Sequence, residues 1–145
     1  MTCQYRVLEN VALADAAFEA YGDSPAELFV AAAQAVIDTM ADATTVRQAW
    51  RRTITREADD LSGLLFDWLS ELVYLKDAEA VVFSGASAHV EQSPDGRWHL
   101  CGTLTGEPID PARQALHADV KAVTKHLYDV RHVGNQWMAR VVLDI

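Results

Sequence analysis

The sequence predicts an α+β fold: a single compact domain, 1–145, with a mixed or mainly antiparallel sheet covered on one side by two helices. Three observations lead there. Apolar residues recur at steps of three and four in only two segments, 25–40 and 60–75, and elsewhere form short blocks or alternate. The resulting order is strand, strand, helix, strand, helix and then several strands, which is the α+β pattern. A chain of 145 residues, 50% hydrophobic and 23% charged, with 7 Gly and 4 Pro scattered along it, is the right size for one domain with a real core.

Residues 5–21 are mostly apolar and are interrupted by Glu9 and Asn10, which predicts two strands with a change of direction between them. Within 14–21, alternation places Ala14, Ala16, Phe18 and Ala20 on one face and Asp15, Ala17, Glu19 and Tyr21 on the other, so Asp15 points away from Phe18. Gly22-Asp23-Ser24-Pro25 then opens a helix. Ser24 suits the cap, Pro25 the first helical position, and Glu27 completes a capping box. This helix is expected to run through Met40 and to bury Leu28, Ala31, Ala32, Ala35, Val36 and Thr39, its alanines allowing close approach to a sheet.

A third strand is expected within 46–56, where Arg51 to Arg56 read as a half-exposed ribbon. Asp59 or Asp60 opens the second helix, in which Leu61, Leu64, Leu65, Trp68, Leu69, Leu72 and Leu75 share a face. Segments 80–90, 98–104, 120–130 and 137–145 read as strands, with turns at Ser93-Pro94-Asp95-Gly96 and Gly134-Asn135. The stretch 107–119, with Pro108 and Pro111, is expected to be a loop with a short helical turn.

Composition excludes several functions. Twelve Lys and Arg against 21 Asp and Glu give a net charge of −9, so no whole-surface footprint for nucleic acid exists, and RNA contact is expected to be local or through a partner. No apolar run approaches the roughly 20 residues needed to span a bilayer, and no basic segment followed by an apolar run opens the chain. A cytoplasmic protein with reduced Cys3 and Cys101 is expected. There is no Gly-rich phosphate loop, no Cys-x-x-Cys pair and no His-Glu-x-x-His helix. Ser62-Gly63 and Ser84-Gly85 lack the context of a nucleophile elbow, and the five histidines form no local ligand cluster.

Charge is unevenly placed. Residues 1–45 carry seven acids and one base, and 113–140 five bases and two acids, which leaves open a polarised docking surface or an ordinary solvated one. The end of the sequence is more particular. In Leu143-Asp144-Ile145 an apolar strand continues to the last residue, and the Asp144 side chain adjoins the Ile145 carboxylate. With Asp15 nearby, three oxygen donors would suit a hard divalent cation, water or a partner filling the other positions; a solvated edge is the competing reading.

A wider likeness bears on that choice. Ala14-Asp15-Ala16-Ala17-Phe18-Glu19-Ala20-Tyr21-Gly22, the helix opening Pro25-Ala26-Glu27-Leu28-Phe29 with Ala31-Ala32, and Asp60-Leu61, Leu64-Leu65-Phe66-Asp67-Trp68-Leu69 and Glu71-Leu72 occur in this order. Gly106-Glu107, Val120-Lys121-Ala122-Val123-Thr124 with His126, and Ala139-Arg140-Val141-Val142-Leu143-Asp144-Ile145 follow. Together they closely resemble the archease family over essentially the whole chain.

The resemblance implies a protein activator of the RNA ligase that joins a 3′-phosphate or 2′,3′-cyclic phosphate end to a 5′-hydroxyl in tRNA splicing and RNA repair. It would promote ligase guanylylation and multiple turnover and would have no turnover of its own; GTP and the guanylylated residue belong to the ligase. The resemblance also implies a divalent metal, calcium in the isolated protein, at Asp15, Asp144 and the Ile145 carboxylate. Lys121, Thr124 and His126 are secondary candidates for supporting that edge or contacting the ligase, structural roles being equally open. Two departures stand out: Ala12-Leu13 replaces the usual His-Thr before Ala-Asp, and Lys125 takes a position where an aromatic residue is common. The first removes an imidazole and a hydroxyl from before Asp15, and the two together would weaken metal binding, alter ligase specificity or mark a divergent member. A general interaction or chaperone-like module, and less readily a metal-dependent nuclease or hydrolase, are the alternatives.

Overall fold

The computed structural model describes residues 4–9 and 15–145. Cys3, Asn10, Ala12, Leu13 and Ala14 lie outside them. Along the chain the elements are β1 (Gln4–Leu8), β2 (Asp15–Gly22), α1 (Pro25–Met40), β3 (Trp50–Ala58), α2 (Leu61–Glu79), β4 (Val81–Gln92), β5 (Trp98–Pro108), β6 (Ala122–Val133) and β7 (Gln136–Asp144). The strands form two antiparallel sheets, ordered β1-β2-β7-β6 and β3-β5-β4, instead of one continuous sheet. The last strand thus returns to pair with β2, a partner more than a hundred residues earlier that periodicity does not reveal.

One contiguous core takes residues from both helices and both sheets. Trp68 is its largest fully buried side chain. Its indole nitrogen donates to the Phe29 carbonyl at 3.0 Å, tying α2 to α1. The indole also lies close to Gly102 of β5: a Cβ there would come within 2.6 Å of the ring.

The helix ends follow their capping chemistry. Ser24 Oγ accepts from the Glu27 amide at 3.2 Å, and Asp60 accepts from the Gly63 amide at 2.6 Å. At the other end of α1, the Thr39 and Met40 carbonyls accept from the amides of Ala118 and His117 at 3.0 and 2.8 Å. The loop before β6 therefore supplies the partners that the last turn of a helix lacks. Helix α2 runs one turn beyond Leu75 and closes at Ala80, at φ +51°.

Strand β3 begins at Trp50, four residues after the start of the region 46–56 in which it was expected. Asp42 caps a 3-10 turn at Ala43–Thr45 by accepting from the Thr44 amide at 3.0 Å, and the Arg47 amide donates to the Glu107 carboxylate at 2.9 Å. These side-chain acceptors hold a segment that a strand ladder would otherwise have bonded. Strand β6 pairs with β7 in two stretches, 122–124 and 129–133, with an irregularity between them. Simple alternation around His126 therefore fails.

Candidate functional site

Strand register builds the site. In the β2–β7 ladder Asp15 stands directly opposite Asp144, and in the β6–β7 ladder Ala122 stands on the other side of Asp144. Two half-buried carboxylates separated by 129 positions in sequence thus end up side by side where β2 and β6 begin and β7 ends. Directly opposite residues have Cβ atoms about 4.5–5.5 Å apart, so like charges there repel unless something compensates. Ile145 follows Asp144 and is also half-buried.

The main chain at this edge is held from behind. The Lys121 amide donates to the Asp144 carbonyl at 2.7 Å while its side chain is exposed. The preceding two residues are fixed by Lys76, whose ammonium group donates to the Val120 carbonyl at 2.8 Å and pairs with Asp119 and Asp77. Burial works to depress the Lys76 pKa, but the hydrogen bonds to Asp119 and Asp77 outweigh it and the group sits above its ordinary value. Lys76 was not among the expected site residues. Its signal was present, since Trp68, Leu72 and Lys76 follow one another at steps of four on the buried face of α2.

A second carboxylate locks the same loop from its other end. Glu107 is held down to about 2 by Arg113 first, then by Gln114 and the Arg47 amide. Gln114 closes the turn by accepting from the Asp110 amide at 2.8 Å and donating to the Pro108 carbonyl at 3.1 Å.

Of the secondary candidates, Thr124 has a structural task. Its hydroxyl donates to the Val142 carbonyl at 3.0 Å and accepts from the His126 amide at 3.3 Å. His126 is exposed and lies farther along β6, at the start of the irregular stretch. The structure therefore brings together Asp15, Asp144 and the Lys121 backbone, with Thr124 and His126 beyond them. Among the described residues no three His, Cys, Asp or Glu side chains are arranged to hold a metal. The donors at this edge are oxygens, which fits a hard cation that keeps open positions for water or a partner.

The acidic and basic segments meet in the β1-β2-β7-β6 sheet. Arg6, Glu19, Arg140 and Asp129 lie in one cross-strand row, alternating in sign over β1, β2, β7 and β6. Arg6 pairs with Glu19, and Arg131 with Asp129. In this row the charges are complementary across the strands.

The Archease protein family model matches residues 5–145. The chain belongs to the archease family. Protein archease of Methanopyrus kandleri is 36% identical over 132 residues, covering 91% of this chain and 94% of its own. Protein archease of Methanothermobacter thermautotrophicus is 37% identical over 132 residues, covering 91% and 93%. The solution structure of Methanobacterium thermoautotrophicum protein 1598 superposes with a TM-score of 0.79 at 32% identity, covering 97% of this chain and 98% of that one. A Thermotoga maritima crystal structure described as an archease and possible chaperone shares the fold, with a TM-score of 0.62 at 15% identity and the same coverage. Within this archease fold, the unusual Lys125 has a defined place: its ammonium group lies 4.1 Å from the Phe66 ring centre and 5.7 Å from that of Tyr128. No helix among the described residues is long and apolar enough to cross a membrane.

Proposed function

We propose that this archease-family chain is a cytoplasmic, metal-dependent protein cofactor of a GTP-dependent RNA ligase of the 3′-phosphate/5′-hydroxyl type. It promotes ligase guanylylation and multiple turnover in tRNA splicing or RNA repair and performs no turnover itself. The observation that carries this reading is the register that sets Asp15 opposite Asp144, in a chain of the family whose resemblance assigns a metal to those two positions. Asp15, Asp144 and the Ile145 carboxylate would hold the ion, calcium in the isolated protein. When bound, it neutralises the paired carboxylates and offers open coordination positions.

The chain's own residues then have distinct tasks. The β2–β7 ladder fixes the backbone positions of the two carboxylates, which lowers the ordering cost of contact with the ligase. The Lys121 amide keeps the Asp144 backbone in place, and its exposed side chain faces a partner group. Thr124 holds the strand, and His126 extends the contact surface. The electrostatic role is to organise charge at the ligase's own metal or nucleotide, while RNA is met through the ligase.

The test combines the purified chain with the RNA ligase of the same organism, GTP and a controlled divalent metal, and follows the rate of ligase guanylylation. Acceleration by wild type that is lost in folded Asp15→Ala and Asp144→Ala variants supports the mechanism. Full acceleration by both variants removes the carboxylates from it. No acceleration by wild type with any of several metals, together with broad suppression of aggregation, selects a chaperone-like module instead.

A further inference from the structure

The irregular stretch of β6 carries a feature that the carboxylate edge does not explain. Pairing stops at Thr124–Val142 and resumes at Asp129–Arg140, so the four residues 125–128 stand opposite Val141 alone. Such a bulge is a built element, held from several sides. Tyr128 donates its hydroxyl to the Ser62 carbonyl at 2.7 Å and sets its ring edge-on to Phe66 at 5.4 Å. Lys125 lies over the same Phe66 ring, and Arg140 Nε donates to the Leu127 carbonyl at 2.8 Å.

What this frame presents is Leu127, at φ +54° and 51% exposed. Glycine or asparagine is the ordinary occupant of a left-handed bulge position, because a Cβ is strained there and a branched apolar side chain more so. Ala80, the other described non-glycine residue with positive φ, closes α2. Leu127 closes no helix, and half of its side chain stays in solvent while its backbone is strained. Local preference and solvent both oppose leucine here, and sites that break local rules in this way are where function is to be sought.

We propose that Leu127 is an apolar anchor that seats in a socket on the ligase that receives the Asp15–Asp144 edge. This rests on the ligase-activator reading. Continuity selects that occupant: Leu127 is five residues beyond Ala122, the neighbour of Asp144, and so at most about 17 Å along the strand. A partner face of ordinary interface size, about 800 Å², is wide enough to reach both features. The carboxylates act on the partner's chemistry, and Leu127 sets how tightly the chain docks.

The experiment measures ligase guanylylation rate against concentration of wild type, Leu127→Gly, Leu127→Asn and Asp144→Ala, with thermal unfolding and sedimentation of each. Leu127→Gly and Leu127→Asn are expected to unfold no earlier than wild type, yet to need about tenfold more protein for half-maximal stimulation. Asp144→Ala is expected instead to lower the saturating rate. An unchanged half-maximal concentration for Leu127→Gly overturns the anchor, as does a lower unfolding temperature, which would place the side chain's role inside the fold. Wild-type self-association dispersed by Leu127→Gly, with an unchanged ligase curve, also overturns it in favour of a second copy. A full saturating rate from Asp144→Ala refutes the carboxylate mechanism alone, whereas no stimulation by wild type removes both.

Discussion

Replacing Asp144 with asparagine separates two consequences of the acidic edge, self-repulsion when bare and attraction for a cation when one is supplied. Asp15 and Asp144 are register partners, so their side chains start about 5 Å apart. Two unit charges at that distance in a water-like dielectric repel by about 332/(80 × 5), or about 0.8 kcal/mol. For a chain of this size each kcal/mol moves the unfolding temperature by about 2–4 °C. In EDTA at low ionic strength, Asp144→Asn is therefore expected to unfold about 2–3 °C above wild type, and added salt should shrink that gap. On the proposed metal site, calcium at about a hundred times its Kd is expected to stabilise wild type by about 2.7 kcal/mol, or about 5–10 °C, and to reverse the order. Scanning calorimetry in EDTA and in calcium reads both effects. If the asparagine variant is less stable in EDTA, or responds to calcium as wild type does, the paired-carboxylate argument is wrong.

Three further outcomes are expected. Glu107 is held at about 2 in the folded chain, below its ordinary 4.5; its stabilisation is thus present above about pH 4.5 and lost as pH falls towards 2. Thermal melts across that window should show a shallower pH dependence for Glu107→Gln than for wild type; equal slopes would refute the assignment. Lys76→Met leaves the buried Val120 carbonyl without its side-chain donor, which costs about 1–3 kcal/mol. Asp119→Asn acts on a mostly solvated carboxylate and should cost less than about 1 kcal/mol; equal losses in urea unfolding would contradict the burial argument. A Cβ added at Gly106 would lie 2.0 Å from the Val82 carbonyl oxygen, so Gly106→Ala should destabilise by at least about 1–3 kcal/mol. A wild-type urea midpoint would show that β4 and β5 do not approach so closely.

Much of the local structure was legible because its causes are local. Ser24 and Pro25 mark the start of α1, Asp60 that of α2, and the leucines of α2 lie at helical spacing. The hairpin turns carry their Gly signals. The start of β3 was less legible because Asp42 and Glu107, the latter about sixty residues away, take up the amides before it. Lys76 stood in plain view on a leucine face, but its partners Asp119 and Val120 belong to a loop more than forty residues on. The bulge in β6 escaped altogether: a run of strand-forming residues carries no mark of a residue at positive φ.

Asp15 and Asp144 could be singled out from the sequence as candidates, since residue type and family resemblance both point to them. That they stand opposite each other was decided only by the fold, because β7 pairs with β2 across most of the chain. The same return of β7 sets Arg140 between Glu19 and Asp129, and the strands form two sheets where one was expected. Periodicity reports which way each side chain points, since that depends on neighbours in sequence. Pairing and register depend on which distant strand buries which face, and only tertiary packing selects that.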